Sequence, residues 1–257
     1  MNTRCRAIKG YVKIAMTLGA LGMTLSGAAI AQTSSGSICK AFTILQSQPY
    51  ALCAGASSFI FDQVAYAKCI AMTQLPYGNS ISAPLKYPCS DPKDPKGCDI
   101  ETVNKEGIAN GSFIASTYSP PAPAANVALY NCNTSGSNAQ GNSDAQGNPS
   151  GSYAQCDGGI CFTSTPGTDF PGLGAIGQNE IVCSCPITTT SDSYQVFGPS
   201  SCPKTASDYD AVCGAGITAN DNGYTPLYIG APTGIPAQLS VCLTGFNPLT
   251  TCKRPVK

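Results

Sequence analysis

"IVCSCPITTTSDSYQVFGPSSC", residues 181–202, sets three cysteines around a proline and a run of hydroxyl side chains, in a chain of 257 residues that contains no histidine. On an extended strand, alternation places Cys183 and Cys185 on one face and turns Ser184 to the other. Their short separation disfavours a bond between them, so each needs a partner elsewhere. Whether those partners are a metal, a redox couple or other half-cystines decides what kind of protein this is.

Compartment favours half-cystines. The first residues, "MNTRCRAIKGYVKIAMTLGALGMTLSGAAIAQ", put Arg4, Arg6, Lys9 and Lys13 ahead of an apolar run from about Ile14 to Leu25. That order is expected of a bacterial secretory signal peptide over residues 1–31, with Ala29-Ile30-Ala31 as the cleavage triplet. The run is shorter than the roughly 20 residues that span a bilayer, so no transmembrane anchor is expected after cleavage. The position directly after Ala31 is Gln32 and not a cysteine, which argues against a lipoprotein, and Arg4 and Arg6 are not adjacent as a twin-arginine signal requires. Removing the four basic residues from fourteen, and none of the fourteen acidic ones, leaves a net charge of −4. A mild, dispersed negative charge argues against nucleic acid or an anionic membrane surface as partner.

Fifteen cysteines become fourteen once Cys5 is lost with the signal: Cys39, Cys53, Cys69, Cys89, Cys98, Cys132, Cys156, Cys161, Cys183, Cys185, Cys202, Cys213, Cys242 and Cys252. An even count in an exported chain predicts disulfides, up to seven. With 27 Gly, 20 Pro, eight Phe and no Trp, the chain has few large apolar side chains, and cross-links are expected to replace part of the missing burial.

The cysteine frame also repeats. "YALC" at 50–53 answers "YAQC" at 153–156, and "CIAMTQLPYGNSISAPLKYPC" at 69–89 answers "CSCPITTTSDSYQVFGPSSC" at 183–202. Residues 107–132 align with 216–242 through an early Gly-Ile and a closing Leu-x-x-Cys. The offset is 103 at Cys53/Cys156 and 114 at Cys69/Cys183, which a single insertion explains; Thr165 to Gln178, rich in Gly and Pro, has the composition of an added surface loop. The second stretch carries two additional cysteines, Cys161 and Cys185, where the first has Ser58 and Ala71. Their joint absence from the first stretch predicts that Cys161 and Cys185 bond to each other.

The expected fold class is mainly β with long loops, disulfide-rich, as two tandem related units with a short helix over Ser57–Met72. Residues 32–134 form the first cysteine-rich unit, 135–151 a Gly/Ser/Asn-rich linker, and 152–257 the second unit. Short strands are expected over Phe42–Leu45, Ile181–Cys185, Tyr194–Phe197 and Leu239–Leu243. In the helix, Ile60, Val64, Ala67 and Ala71 supply an apolar stripe at helical spacing.

The absence of histidine excludes Ser-His-Asp and Cys-His hydrolysis, His-ligated zinc or copper, and His-ligated haem. Asp157, Asp169, Glu180, Asp208 and Asp210 are candidates for carboxylate-pair catalysis, although no spacing aims two at one bond. Cys156, Cys161, Cys183 and Cys185 offer four soft ligands for a thiolate metal site, but the single residue between the last pair is not the usual zinc spacing. No Cys-x-x-Cys pair suggests a thiol oxidoreductase. "ANDNGY" at 219–224 lacks the terminal Glu of a calcium loop, and "SDPKDPKGCD" at 90–99 reads as a rigid soluble loop. The twelve tyrosines either pack against disulfides or present rings for glycan or protein recognition. Together these features predict an exported, disulfide-stabilised, non-catalytic binding or structural module, secreted or periplasmic, whose partner is a protein or glycan at the cell surface. No catalytic residue, cofactor or metal is assigned; the alternatives are a carboxylate-dependent hydrolase of a surface polymer and a thiolate metal-binding protein.

Overall fold

A hairpin, not a helix, occupies 57–72. In the computed structural model, strand β2 (Tyr50–Phe61) turns through Asp62 and Gln63 into β3 (Val64–Met72), and the two turn residues have φ of 47° and 65°. Two consecutive positive φ values make the type I′ turn whose twist matches that of the flanking strands. Burial in β3 follows period two, with Ala65, Ala67 and Cys69 inaccessible and Val64, Tyr66 and Lys68 half-buried. The helical stripe expected from Ile60, Val64, Ala67 and Ala71 mixes residues of both sheet faces. The structure describes residues 39, 42–45, 48–74, 78–82, 100–109, 111–116, 127–133, 151–162, 165–214 and 224–256. The expected signal peptide, the linker up to residue 150, Cys89, Cys98 and residues 219–223 lie outside them.

The other strands are β1 (Thr43–Leu45), β4 (Ser80–Ser82), β5 (Ser112–Ser116), β6 (Val127–Cys132), β7 (Gly151–Ala154), β8 (Ile160–Phe162), β9 (Asp169–Phe170), β10 (Gly174–Ala175), β11 (Glu180–Thr190), β12 (Tyr194–Pro199), β13 (Thr225–Pro226), β14 (Gly230–Pro232) and β15 (Thr251–Cys252). Three helices accompany them among the described residues: α1 (Ile100–Ala109), α2 (Ala206–Cys213) and α3 (Ile235–Thr244). The protein is therefore mainly β, and none of these helices is long and apolar enough to cross a membrane. The strands expected at Phe42–Leu45, Ile181–Cys185 and Tyr194–Phe197 are present. Leu239–Leu243 instead lies in α3, which enters after Gly234 with Pro236 in its first turn and stops at Gly245, where φ is 79°. Proline at the start and glycine past the end are the ordinary punctuation of a helix.

Strand pairing closes on itself. β2 pairs β3, β3 pairs β11, β11 pairs β8, β8 pairs β5, and β5 returns to β2 in parallel, giving a five-stranded barrel. So small a ring has a narrow interior. It is filled by Ala51, Ala65, Ala67 and Ile181 together with half-cystines 53, 69, 161, 183 and 185, all fully buried. Beside the barrel, β14-β12-β6-β15 forms a four-stranded sheet, and α2 packs against β6. Its core is tyrosine: Tyr130, Tyr153, Tyr194 and Tyr209 surround Cys132 and Cys213.

The two cysteine-rich stretches are not separate bodies. β11 of the second stretch lies between β3 of the first and β8; β12 pairs β6 across the expected linker, and residues 33–257 make one compact unit. Matched segments also differ in kind, since Cys132 ends a strand and Cys242 sits in a helix.

Candidate functional site

Six disulfides are described: Cys39–Cys242, Cys53–Cys69, Cys132–Cys213, Cys156–Cys185, Cys161–Cys183 and Cys202–Cys252. The expected Cys161–Cys185 bond is thus corrected, and strand register supplies the reason. Cys161 in β8 stands directly opposite Cys183 in β11, while Cys185, two residues along the same face, meets Cys156 in the connection between β7 and β8. Ser184 points the other way and donates to the Ile160 carbonyl at 3.2 Å. The joint absence of Cys161 and Cys185 from the first stretch has a different meaning from the one expected. It leaves the counterparts of Cys156 and Cys183, namely Cys53 and Cys69, which bond to each other. The four sulfurs considered as a thiolate metal site are all consumed in two of these bonds.

The candidate acids do not converge. Asp157 is buried and accepts a hydrogen bond from Ser82 Oγ. Glu180 accepts the Gly177 N–H at 2.6 Å and lies 3.7 Å from Lys68 Nζ, and Asp169 is exposed on β9. Asp208 accepts from Thr205 Oγ1 at 2.6 Å while its own N–H donates to that oxygen, the N-cap of α2. Asp210 receives Arg254 Nε and Nη2, each at 2.7 Å, and this carboxylate raises the guanidinium pKa further. No acid lines either of the two cavities below.

The more distinctive feature is on the barrel's outer face. Because the pleat turns alternate residues outward, register aligns Phe59 with Tyr66, Tyr66 with Ser184 and Ser184 with Ile160, and places Phe162 beside Val182. The expected insertion, Thr165 to Gln178, folds back over this face as the β9–β10 hairpin and inserts Leu173 and Ile176 against Phe59 and Val182. Gly172, with φ of 81°, makes the approach feasible, since a Cβ there would lie 2.8 Å from the Phe59 ring. Coverage is partial. A groove of ≈ 390 Å³ stays open, lined by Phe59, Phe61, Tyr66, Phe162, Phe170 and Pro171.

Within the groove, the Tyr66 and Phe170 rings are 5.8 Å apart, and Phe59 lies 6.0 Å from Tyr66 and 5.2 Å from an edge-on Tyr224. These are favourable offset and edge-to-face contacts, so the wall is a self-supporting stack of rings. Phe61 is 59% exposed and Ile160 53% exposed at its margin. A second cavity of ≈ 300 Å³ lies between β2 and the β6/β12 sheet, where Ser58 Oγ donates to the Leu227 carbonyl on a mixed polar and apolar wall.

Of the two roles expected for the tyrosines, recognition falls here mainly to phenylalanine instead: four of the eight phenylalanines converge on the groove, and Tyr66 is the one tyrosine that lines it. The signal was Phe59-Ile60-Phe61, a period-two aromatic pair that is outward-facing once the segment is a strand. Among the described residues, most of the other tyrosines serve the second core: Tyr153 stacks on Tyr194 at 5.5 Å, Tyr194 Oη donates to the Cys213 carbonyl at 2.7 Å, and Tyr209 Oη donates to the Asn131 carbonyl. Comparison with protein-family models, with curated proteins and with solved structures returns no match in any of the three.

Proposed function

We propose that the chain is an exported, non-catalytic binding module of the bacterial cell surface or periplasm, and that it holds its partner through the aromatic groove on the barrel's outer face. The observation that carries this reading is the groove's wall: five aromatic rings and a proline, with one of those rings, Phe61, exposed and the exposed Ile160 on the same sheet face. Monomer surfaces rarely leave large apolar side chains gathered in one patch unless something contacts them. Such a wall suits an apolar or aromatic side chain of a partner protein better than a sugar, whose several hydroxyls need polar partners where the lining side chains offer only that of Tyr66. The disulfides keep the platform rigid, so little ordering cost is added on binding.

A photo-crosslinking residue at Phe61, introduced in the full chain and exported by its own cell, tests this. The expected result is a discrete protein adduct that excess native protein competes away and excess Phe61→Asp protein does not. Equal adducts from a crosslinker at Lys253, or equal competition by the variant, would contradict the assignment.

A further inference from the structure

Two of the disulfides inside the barrel touch. Cys53 Sγ lies 3.6 Å from Cys183 Sγ although the two belong to different bonds, and Cys161 Sγ completes a group of three sulfurs within 4.8 Å of one another. All are fully buried. Cys53 is in β2, Cys183 in β11 and Cys161 in β8, so the contact spans the barrel interior.

We propose that Cys53–Cys69 and Cys161–Cys183 form an exchange-coupled pair, a redox-responsive device in which loss of either bond is followed by formation of a Cys53–Cys183 bond. With a dithiol as reductant, one of its thiolates attacks Cys69 Sγ, and the Cys53–Cys69 bond breaks with its electron pair on Cys53. The Cys53 thiolate then attacks Cys183 Sγ. The Cys53–Cys183 bond forms, the Cys161–Cys183 bond breaks, and Cys161 leaves with the electron pair and takes up a proton. The reductant's second thiol displaces Cys69, which also ends as a thiol, and the reductant departs as a disulfide. Starting from reduction of Cys161–Cys183, the Cys183 thiolate attacks Cys53 and expels Cys69, giving the same product.

Exchange proceeds by attack of a thiolate on a disulfide sulfur from the side opposite the sulfur that leaves. The 3.6 Å contact brings Cys53 and Cys183 close to reacting distance, and because Cys161 Sγ also lies within 4.8 Å of Cys53 Sγ, the Cys161–Cys183 bond must turn before Cys161 can leave in line. Reduction by either route therefore converges on thiols at Cys69 and Cys161, with β2 tied directly to β11. The apolar surroundings disfavour the thiolate, so exchange is expected to be slow at neutral pH and to accelerate as pH rises.

The test is limited reduction of the native protein with dithiothreitol, acid quenching, alkylation and peptide mapping. The expected species with two labels carries them on Cys69 and Cys161 and retains Cys53 bonded to Cys183. Labels only on the original pairs, Cys53 with Cys69 or Cys161 with Cys183, would overturn the proposal, as would reduction with no two-label species. The Cys69→Ser variant gives an independent reading: exchange predicts one free thiol per molecule, distributed between Cys53 and Cys161, and a free thiol at Cys53 alone contradicts it.

Discussion

Gly55 sits in the middle of β2 with φ of 77°, at the irregularity between Leu52 and Ser57 where β2 and β3 lose register. A Cβ at this position would run into Val127 Cγ1, and valine has little χ1 freedom with which to retreat. Gly55→Ala is expected to cost roughly 2–4 kcal/mol in urea unfolding, from backbone strain plus overpacking, and adding Val127→Ala should recover part of it. Tyr194 and Tyr209 are a second residue-scale case. Burial pushes both phenols up to about 12 from an ordinary value of 10.0. Folded values above unfolded ones mean that the neutral phenols' contribution is complete below pH 10 and is lost as pH rises towards 12. The urea midpoint should hold level up to about pH 9 and fall above pH 10, with a smaller fall in Tyr194→Phe. Packing against disulfides is one of the two roles the sequence leaves open for these tyrosines, and their neighbours, Ser193 and Gln195 for Tyr194 and Asp208 and Asp210 for Tyr209, do not decide between that role and an exposed one.

At the scale of elements, the sequence was misleading where two periods coexist. Ser57–Met72 satisfies a helical stripe, but Ala65, Ala67 and Cys69 are also a strict alternation, and Asp62-Gln63 lacks the glycine that usually announces a type I′ turn. Replacing Asp62-Gln63 by Asn-Gly should raise stability by roughly 1 kcal/mol, because glycine and asparagine adopt positive φ at lower cost. In a helix the same change would lower stability by a similar amount, so the sign alone separates the two structures. α3 shows the reverse error. Its apolar run looked like a strand, while Pro236 and Gly245 carried the helix boundaries in plain view. The groove is partly legible: composition reads Thr165–Gln178 as a surface loop, but its place over Phe59 depends on sheet register that composition does not encode.

For the whole molecule, the even cysteine count anticipated a disulfide framework, whereas the repeat suggested tandem units that strand pairing does not show. Pairing of β11 with both β3 and β8 interleaves the two stretches, and Cys39–Cys242 and Cys132–Cys213 each tie a residue before position 135 to one after position 151. The first closes a loop of 203 residues, and loop-closure entropy then assigns it about 5 kcal/mol. Cys53–Cys69, with a separation of 16, is assigned about 3 kcal/mol on the same basis. Removing Cys39 and Cys242 together by serine should accordingly lower unfolding free energy more than removing Cys53 and Cys69 perturbs it through entropy alone. The central claim, a small barrel whose interior is built from half-cystines of both stretches, is tested most directly by non-reducing peptide mapping of the native protein, with fragmentation between Cys183 and Cys185. The barrel predicts Cys161 linked to Cys183, Cys156 to Cys185 and Cys53 to Cys69; finding Cys161 linked to Cys185, or these cysteines free, would contradict it.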